Sequence, residues 1–156
     1  MMTDFSALLH GDTVLEGVTA SSKKALINQL AAGLAHAHGL EAKAVSATLA
    51  AREKLGSTGF GGGIAIPHGK LDGLVQPVGL FARLAEPLDF QAIDELPVDL
   101  VFAMLSPPMA GAEHLRTLAS VSRRLRDRNF VAKLRGAGSP DALYALWTGE
   151  EARDAA

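Results

Sequence analysis

The stretch PVDLVFAML (residues 97–105) constrains the fold more than any other, because six consecutive apolar side chains follow Asp99 without polar alternation. A strand with one wet face alternates apolar and polar residues, so this run predicts a strand buried on both faces. Two covered faces call for helices on each side of a sheet. The sequence supplies them. Leu26, Ile27, Leu30 and Leu34 repeat at helical spacing between Ser21 or Ser22 as N-cap and Gly39 as stop. Glu41–Leu55 is rich in Ala, Leu and Glu and closes on Gly56, Glu113–Asp127 is a third helix, and Ser139–Trp147 is a fourth with Ser139 as N-cap and Pro140 in the first helical position. VGLFARLA (78–85) reads as a further strand, and IAIP is a short apolar run that ends at Pro67. The expected fold is one α/β domain over residues 1–156, with a mostly buried sheet, helices on both faces and fraying after about residue 148.

Composition narrows the function. Fifteen basic against seventeen acidic residues, a net charge of −2, argues against a dedicated nucleic-acid binder. The absence of cysteine excludes a disulfide framework, a thiolate nucleophile, a Cys-based zinc site and an iron–sulfur cluster. Asp4, His10 and Asp12 interrupt the first fifteen residues, so no signal peptide is read there and a cytoplasmic location is expected. Asn28, Gln29, His36 and His38 break the longest uncharged stretch, so no membrane insertion is expected. One local asymmetry stands out: residues 116–135 carry seven basic side chains and one acid, Asp127. That stretch reads as a solvated helix face or as a docking surface for an acidic partner.

The chemistry concentrates in REKLGSTGFGGGIAIPHGK (52–70). Five glycines in the eight residues 56–63 predict a shaped loop. The loop fails the P-loop pattern, since five residues separate Gly63 from Gly69-Lys70 and Leu71 follows. It also fails the dinucleotide fingerprint, since Gly59-Phe60-Gly61 and Gly61-Gly62-Gly63 both lack the third glycine at its offset. His68 remains, fixed between Pro67 and Gly69. With an ordinary pKa near 6.5, roughly three quarters of such an imidazole is neutral at pH 7, with one ring nitrogen free to accept a phosphoryl group; a turn histidine without a role is the other reading.

On a helical wheel His114 shares a face with Leu118, Val121 and Leu125, opposite Arg116, Ser120 and Arg123, so it is expected to point inward. It also lies in the first helical turn, where the helix dipole disfavours imidazolium and free N–H groups attract an anion. A core histidine bonded to a carbonyl is the alternative. His36 and His38 are two residues apart and face different ways, which places them on the surface without a shared metal, and His10 in its turn with Asp12 is given no role.

The residues LGSTGFGGGIAIPHGKL, then FQAIDELPVDLVFAML, then EHLRTLASVSRRL resemble enzyme IIA of the bacterial phosphotransferase system, of the fructose–mannitol type and most of all its nitrogen-regulatory branch. The resemblance spans nearly the whole chain and implies a mixed sheet. It also implies that His68 accepts a phosphoryl group from the phosphorylated histidine-containing phosphocarrier protein, with His114 as the second active-site histidine and Arg52 as the supporting cation. No cofactor and no metal are implied. Ser57, Thr58 and the amide of Gly59 are expected to add donors to the phosphoryl group, and Phe60, Ile64 and Ile66 to form an apolar docking rim. In the regulatory branch the partners would be target proteins such as potassium-transport regulators or sensor kinases. Two alternatives stay open: a sugar-specific component that passes the phosphoryl group to a IIB domain, and an anion-binding module without covalent chemistry. Where nitrogen-regulatory members can have a further histidine, this chain has Arg116.

Overall fold

A computed structural model describes residues 3–149, so the fraying expected after about residue 148 falls, beyond Gly149, outside the described residues. The chain runs α1 (Phe5–Leu8), a 3-10 turn (Gly11–Thr13), β1 (Val14–Val18), α2 (Lys23–His38), α3 (Ala42–Lys54), β2 (Gly59–Gly61), β3 (Ile64–Ala65) and β4 (His68–Lys70). It continues through β5 (Val78–Leu88), β6 (Val98–Ser106), α4 (Ala112–Arg126), α5 (Arg128–Gly136) and α6 (Pro140–Thr148). The sheet order is β1-β5-β6-β3-β2, with β4 also paired to β6. β1 is parallel to β5, β5 antiparallel to β6, and β3 and β4 both parallel to β6, so the sheet is mixed.

β6 is the strand its apolar run predicts. Leu100, Phe102 and Met104 point into one core with Phe5, Phe81, Val121, Leu125, Phe130 and Trp147, beneath α1, α4, α5 and α6. Val101, Ala103 and Leu105 point into the other core, against Leu26, Leu30 and Leu34 of α2 and Val45 and Leu49 of α3. At about 1.5–3 kcal/mol for each fully buried large side chain, this strand alone anchors both layers.

Local signals fix the helix ends. The Ser22 side chain caps α2 by accepting from the Ala25 amide, Gly39 ends it in the left-handed region at φ 64°, and the Ser139 side chain caps α6. Five strands and helices escape the sequence patterns: α1, β1, β2, β4 and α5. β1 lies at a sheet edge where only Val14 is fully buried, so its hydrophobic pattern is weak. α5 begins where Asp127 leaves helical geometry and its carboxylate accepts from the Asn129 and Phe130 amides, a capping role that the helix reading of 113–127 overlooks. The glycine run is also more ordered than a loop: residues 59–61 pair antiparallel with 64–65, and Gly61, Gly62 and Gly63 take φ of 112°, 70° and 83° to make the turn. His38 is half-buried rather than on the surface, with its ring 5.8 Å from that of His10.

The inner face of α4 carries an anomaly. Arg124 is 3% exposed, and its guanidinium lies over the rings of Phe5 and Phe130, 5.4 and 5.7 Å from their centroids. None of its three side-chain nitrogens has a hydrogen-bond partner, and burial pushes the group below the usual arginine range. Unmet buried donors cost more than stacking on two rings returns. Replacing Arg124 with Met should therefore raise the unfolding free energy by about 1 kcal/mol, read as a higher denaturant midpoint at unchanged slope. A lower midpoint would show that the stacking prevails.

Candidate functional site

His68 opens β4, and two features of the preceding residues set its ring. Pro67 has no N–H to offer the sheet, so the edge that β3 and β4 share on β6 is interrupted there, while the Pro67 carbonyl still accepts from the Met104 amide at 3.0 Å. Pairing resumes with His68 opposite Met104. The Ile66 carbonyl turns to the imidazole and lies 2.7 Å from Nδ1. A carbonyl only accepts, so Nδ1 carries the proton and Nε2 keeps its lone pair. Gly69 has its own reason: a Cβ there would come within 2.5 Å of Thr48 Cγ2, so glycine lets α3 lie directly against the strand that bears His68.

His114 lies in the first turn of α4, the helix that follows β6. It points inward as the helical wheel predicts, is 7% exposed, and its Nδ1 is 2.7 Å from the Ser106 hydroxyl. The two imidazole rings are 5.8 Å apart, centroid to centroid, and inclined at 45°. Burial lowers both pKa values. For His68 the Ile66 carbonyl bond opposes that shift and the Arg52 charge adds to it; for His114 the His68 ring and the Lys70 charge add to it. Both rings are therefore neutral at pH 7.

Arg52, in the last turn of α3, donates from Nη1 to the Gly56 carbonyl at 2.8 Å, which holds its guanidinium at the mouth of the glycine segment within electrostatic reach of His68. Beside it stands Glu53, a residue the sequence reading gave no role. It is 8% exposed, accepts from the Thr58 amide and hydroxyl, and pairs with Lys23 at 2.9 Å. A carboxylate in the last turn of a helix opposes the dipole, and that mismatch was the available signal.

The structure corrects the other expected site residues. Ser57 donates to the Phe90 carbonyl and accepts from the Gly59 amide, and the Thr58 hydroxyl binds Glu53. All three groups expected at the phosphoryl centre thus hold the loop instead. Ile64 and Ile66 are 3% and 5% exposed and belong to the core, so they form no docking rim. Phe60 is half-buried under the Arg126 guanidinium, in a groove with Leu125, Arg128 and Arg135. Arg126 is in the last turn of α4, about 18 Å of helix rise from His114, so Phe60 stands away from the imidazole pair. Among the exposed large apolar side chains, Leu55, Met109 and Leu115, 84%, 92% and 66% exposed, lie close in sequence to Arg52 or His114, whereas Val75, Ile93 and Leu96 lie on other segments. Arg135 of the basic segment is held by a two-pronged pair with Asp99.

Among the described residues no three His, Asp or Glu side chains are grouped to hold a metal, and no helix is long and apolar enough to cross a membrane. The site offers one nucleophilic nitrogen, a second neutral imidazole and a guanidinium, a set suited to receiving an anionic electrophile.

Comparison with known proteins agrees with that chemistry. The family model described as "Phosphoenolpyruvate-dependent sugar phosphotransferase system, EIIA 2" matches residues 7–148. A curated relative from Bradyrhizobium diazoefficiens, "Nitrogen regulatory protein", is 45% identical over 139 residues, covering 89% of this chain and 91% of its own. One of the same name from Escherichia coli is 40% identical over 147 residues, covering 94% and 90%. The crystal structure of the nitrogen regulatory protein IIA-Ntr from Neisseria meningitidis superposes with a TM-score of 0.87 at 35% identity, over 92% of this chain and 99% of that one. With His68 and His114 presented by a fold of this kind and a match over almost its whole length, the chain belongs to the EIIA 2 family of the phosphoenolpyruvate-dependent sugar phosphotransferase system.

Proposed function

We propose that this protein is a phosphocarrier in which His68 Nε2 accepts a phosphoryl group from a phosphorylated histidine-containing carrier protein, and that the phosphorylated and free forms act as a nitrogen-regulatory switch. The observation that carries the first half is the bond between His68 Nδ1–H and the Ile66 carbonyl, which reserves Nε2 as the nucleophile. The names of the relatives from Bradyrhizobium diazoefficiens, Escherichia coli and Neisseria meningitidis support the second half.

In the transfer, the Nε2 lone pair attacks phosphorus in line. The P–N bond to the carrier's imidazole breaks, and its electron pair returns to the carrier's nitrogen. His68 becomes cationic as the bond forms, and the Ile66 carbonyl, already bonded to Nδ1–H, stabilises that charge. Arg52 and His114 face the phosphoryl oxygens. The catalysis is positioning and charge neutralisation. Leu55, Met109 and Leu115 form the apolar surround against which the carrier docks. Once in place, the phosphoryl group adds about −1.5 to −2 charges beside that surround and changes which targets can bind it.

With phosphoenolpyruvate, enzyme I and the carrier, the wild type should acquire one acid-labile, alkali-stable phosphoryl group, and His68→Ala none; label on that variant would refute the assignment. Arg52→Ala should slow transfer by about ten- to a hundredfold, the equivalent of a charge-assisted hydrogen bond worth about 1.5–3 kcal/mol, with circular dichroism unchanged. Because burial depresses the pKa of His68, its nucleophilic form persists below the ordinary value near 6.5. The ring signals of His68 should accordingly titrate below pH 6.5, and the acceptor rate should stay level as pH falls to that value and drop only beneath it. A midpoint above 6.5 would contradict the burial argument. The regulatory half is tested by growth and by partners: a deletion strain that loses uptake of fructose or mannitol, together with identical partner sets for wild type and His68→Ala, would move the protein to the sugar-transport role.

A further inference from the structure

Ser106 ends β6, an otherwise apolar strand from Leu100 to Leu105, and is fully buried. A hydroxyl in that position requires a partner, since an unmet buried hydroxyl costs about 1–3 kcal/mol. Its backbone is pinned by the β4 segment: it lies opposite Lys70 in the β4 register, and its carbonyl accepts from the Leu71 amide at 2.9 Å. The side chain reaches His114 Nδ1 at 2.7 Å.

That contact can be made in two ways, and only one satisfies every proton. If Nδ1–H donated to Ser106 Oγ, the hydroxyl proton would need another acceptor, and His114 is the only group to which this side chain is hydrogen-bonded among the described residues. If the hydroxyl donates to the Nδ1 lone pair, both groups are satisfied. The single proton of the neutral ring then sits on Nε2. The pair of imidazoles becomes complementary: His68 has its proton on Nδ1 and a lone pair on Nε2, whereas His114 has a lone pair committed at Nδ1 and an N–H at Nε2.

We propose that the Ser106 hydroxyl is a positioning group that fixes the proton of neutral His114 on Nε2, so that the ring presents an N–H donor to the phosphoryl oxygens on His68. The proposal rests on the phosphocarrier reading above. A hydroxyl suits the role better than a carbonyl or a carboxylate would, because it can donate. A carbonyl or a carboxylate only accepts, and would draw the proton of the neutral ring to Nδ1.

The test compares the full-length wild type, Ser106→Ala and Ser106→Thr. Long-range proton–nitrogen NMR of the unphosphorylated proteins at pH 8 reads the tautomer of His114 directly. The wild type and Ser106→Thr should show the proton on Nε2, and Ser106→Ala a mixture of both forms. Transfer from the phosphorylated carrier should be about three- to tenfold slower in Ser106→Ala, the loss expected for one neutral hydrogen bond, and restored in Ser106→Thr. A wild-type proton on Nδ1 of His114, or a Ser106→Ala protein with the wild-type tautomer and rate, would overturn the proposal. Failure of the wild type itself to take a phosphoryl group on His68 would instead defeat the phosphocarrier reading, while the tautomer of His114 still decides what Ser106 does to that ring.

Discussion

The parallel pairing of His68–Lys70 with Met104–Ser106 governs the rest of the site, because both imidazoles are positioned from the same three residues of β6. His68 stands across from Met104 on the neighbouring strand, and His114 is held by the hydroxyl of Ser106 at that strand's end. β6 has one face in each core, so it cannot shift without opening both. Displacing its large apolar residues would cost several kcal/mol, more than any rearrangement at the surface could return. The ring separation of 5.8 Å is thus set by the interior of the protein and not by the loops around it.

Given that scaffold, the electrostatics of the site follow from burial. Two uncharged imidazoles, side by side and partly desolvated, resist protonation, and the neighbouring Arg52 and Lys70 charges reinforce that resistance. The same cations favour an arriving phosphoryl group. The polar side chains of the glycine segment play a different part. Glu53 gathers Thr58 and Lys23, and Ser57 ties the segment to Phe90. These bonds keep the segment in shape and leave the surroundings of the His68 ring to His114 and Arg52.

Much of the fold was legible because it is written in local terms. Ser22, Gly39, Ser139 and Pro140 mark helix ends through their own backbone and capping chemistry, and the unbroken run to Leu105 declares a strand covered on both faces. The inward direction of His114 follows from helical periodicity alone. The elements that went unread are short or lie at an edge, as β1 and β4 do, or begin at a cap that doubles as another helix's end, as α5 does at Asp127. In such places few residues contribute to a period, and the pattern is too short to register.

By itself, then, the sequence determined the α/β layering, the ends of the long helices and the inward face of α4. Those depend on backbone preference and on periodicity. Only the tertiary structure decided which polar groups are free. Ser57 spends its hydroxyl on a carbonyl 33 residues away, and Phe60 lies under the guanidinium of Arg126, 66 positions along the chain. Ile64 and Ile66, apolar and close to His68 in sequence, turn into the core. A residue's type records which bonds it can make. Whether a partner comes within about 3 Å of it is settled by the packing of distant segments, and no local pattern carries that information.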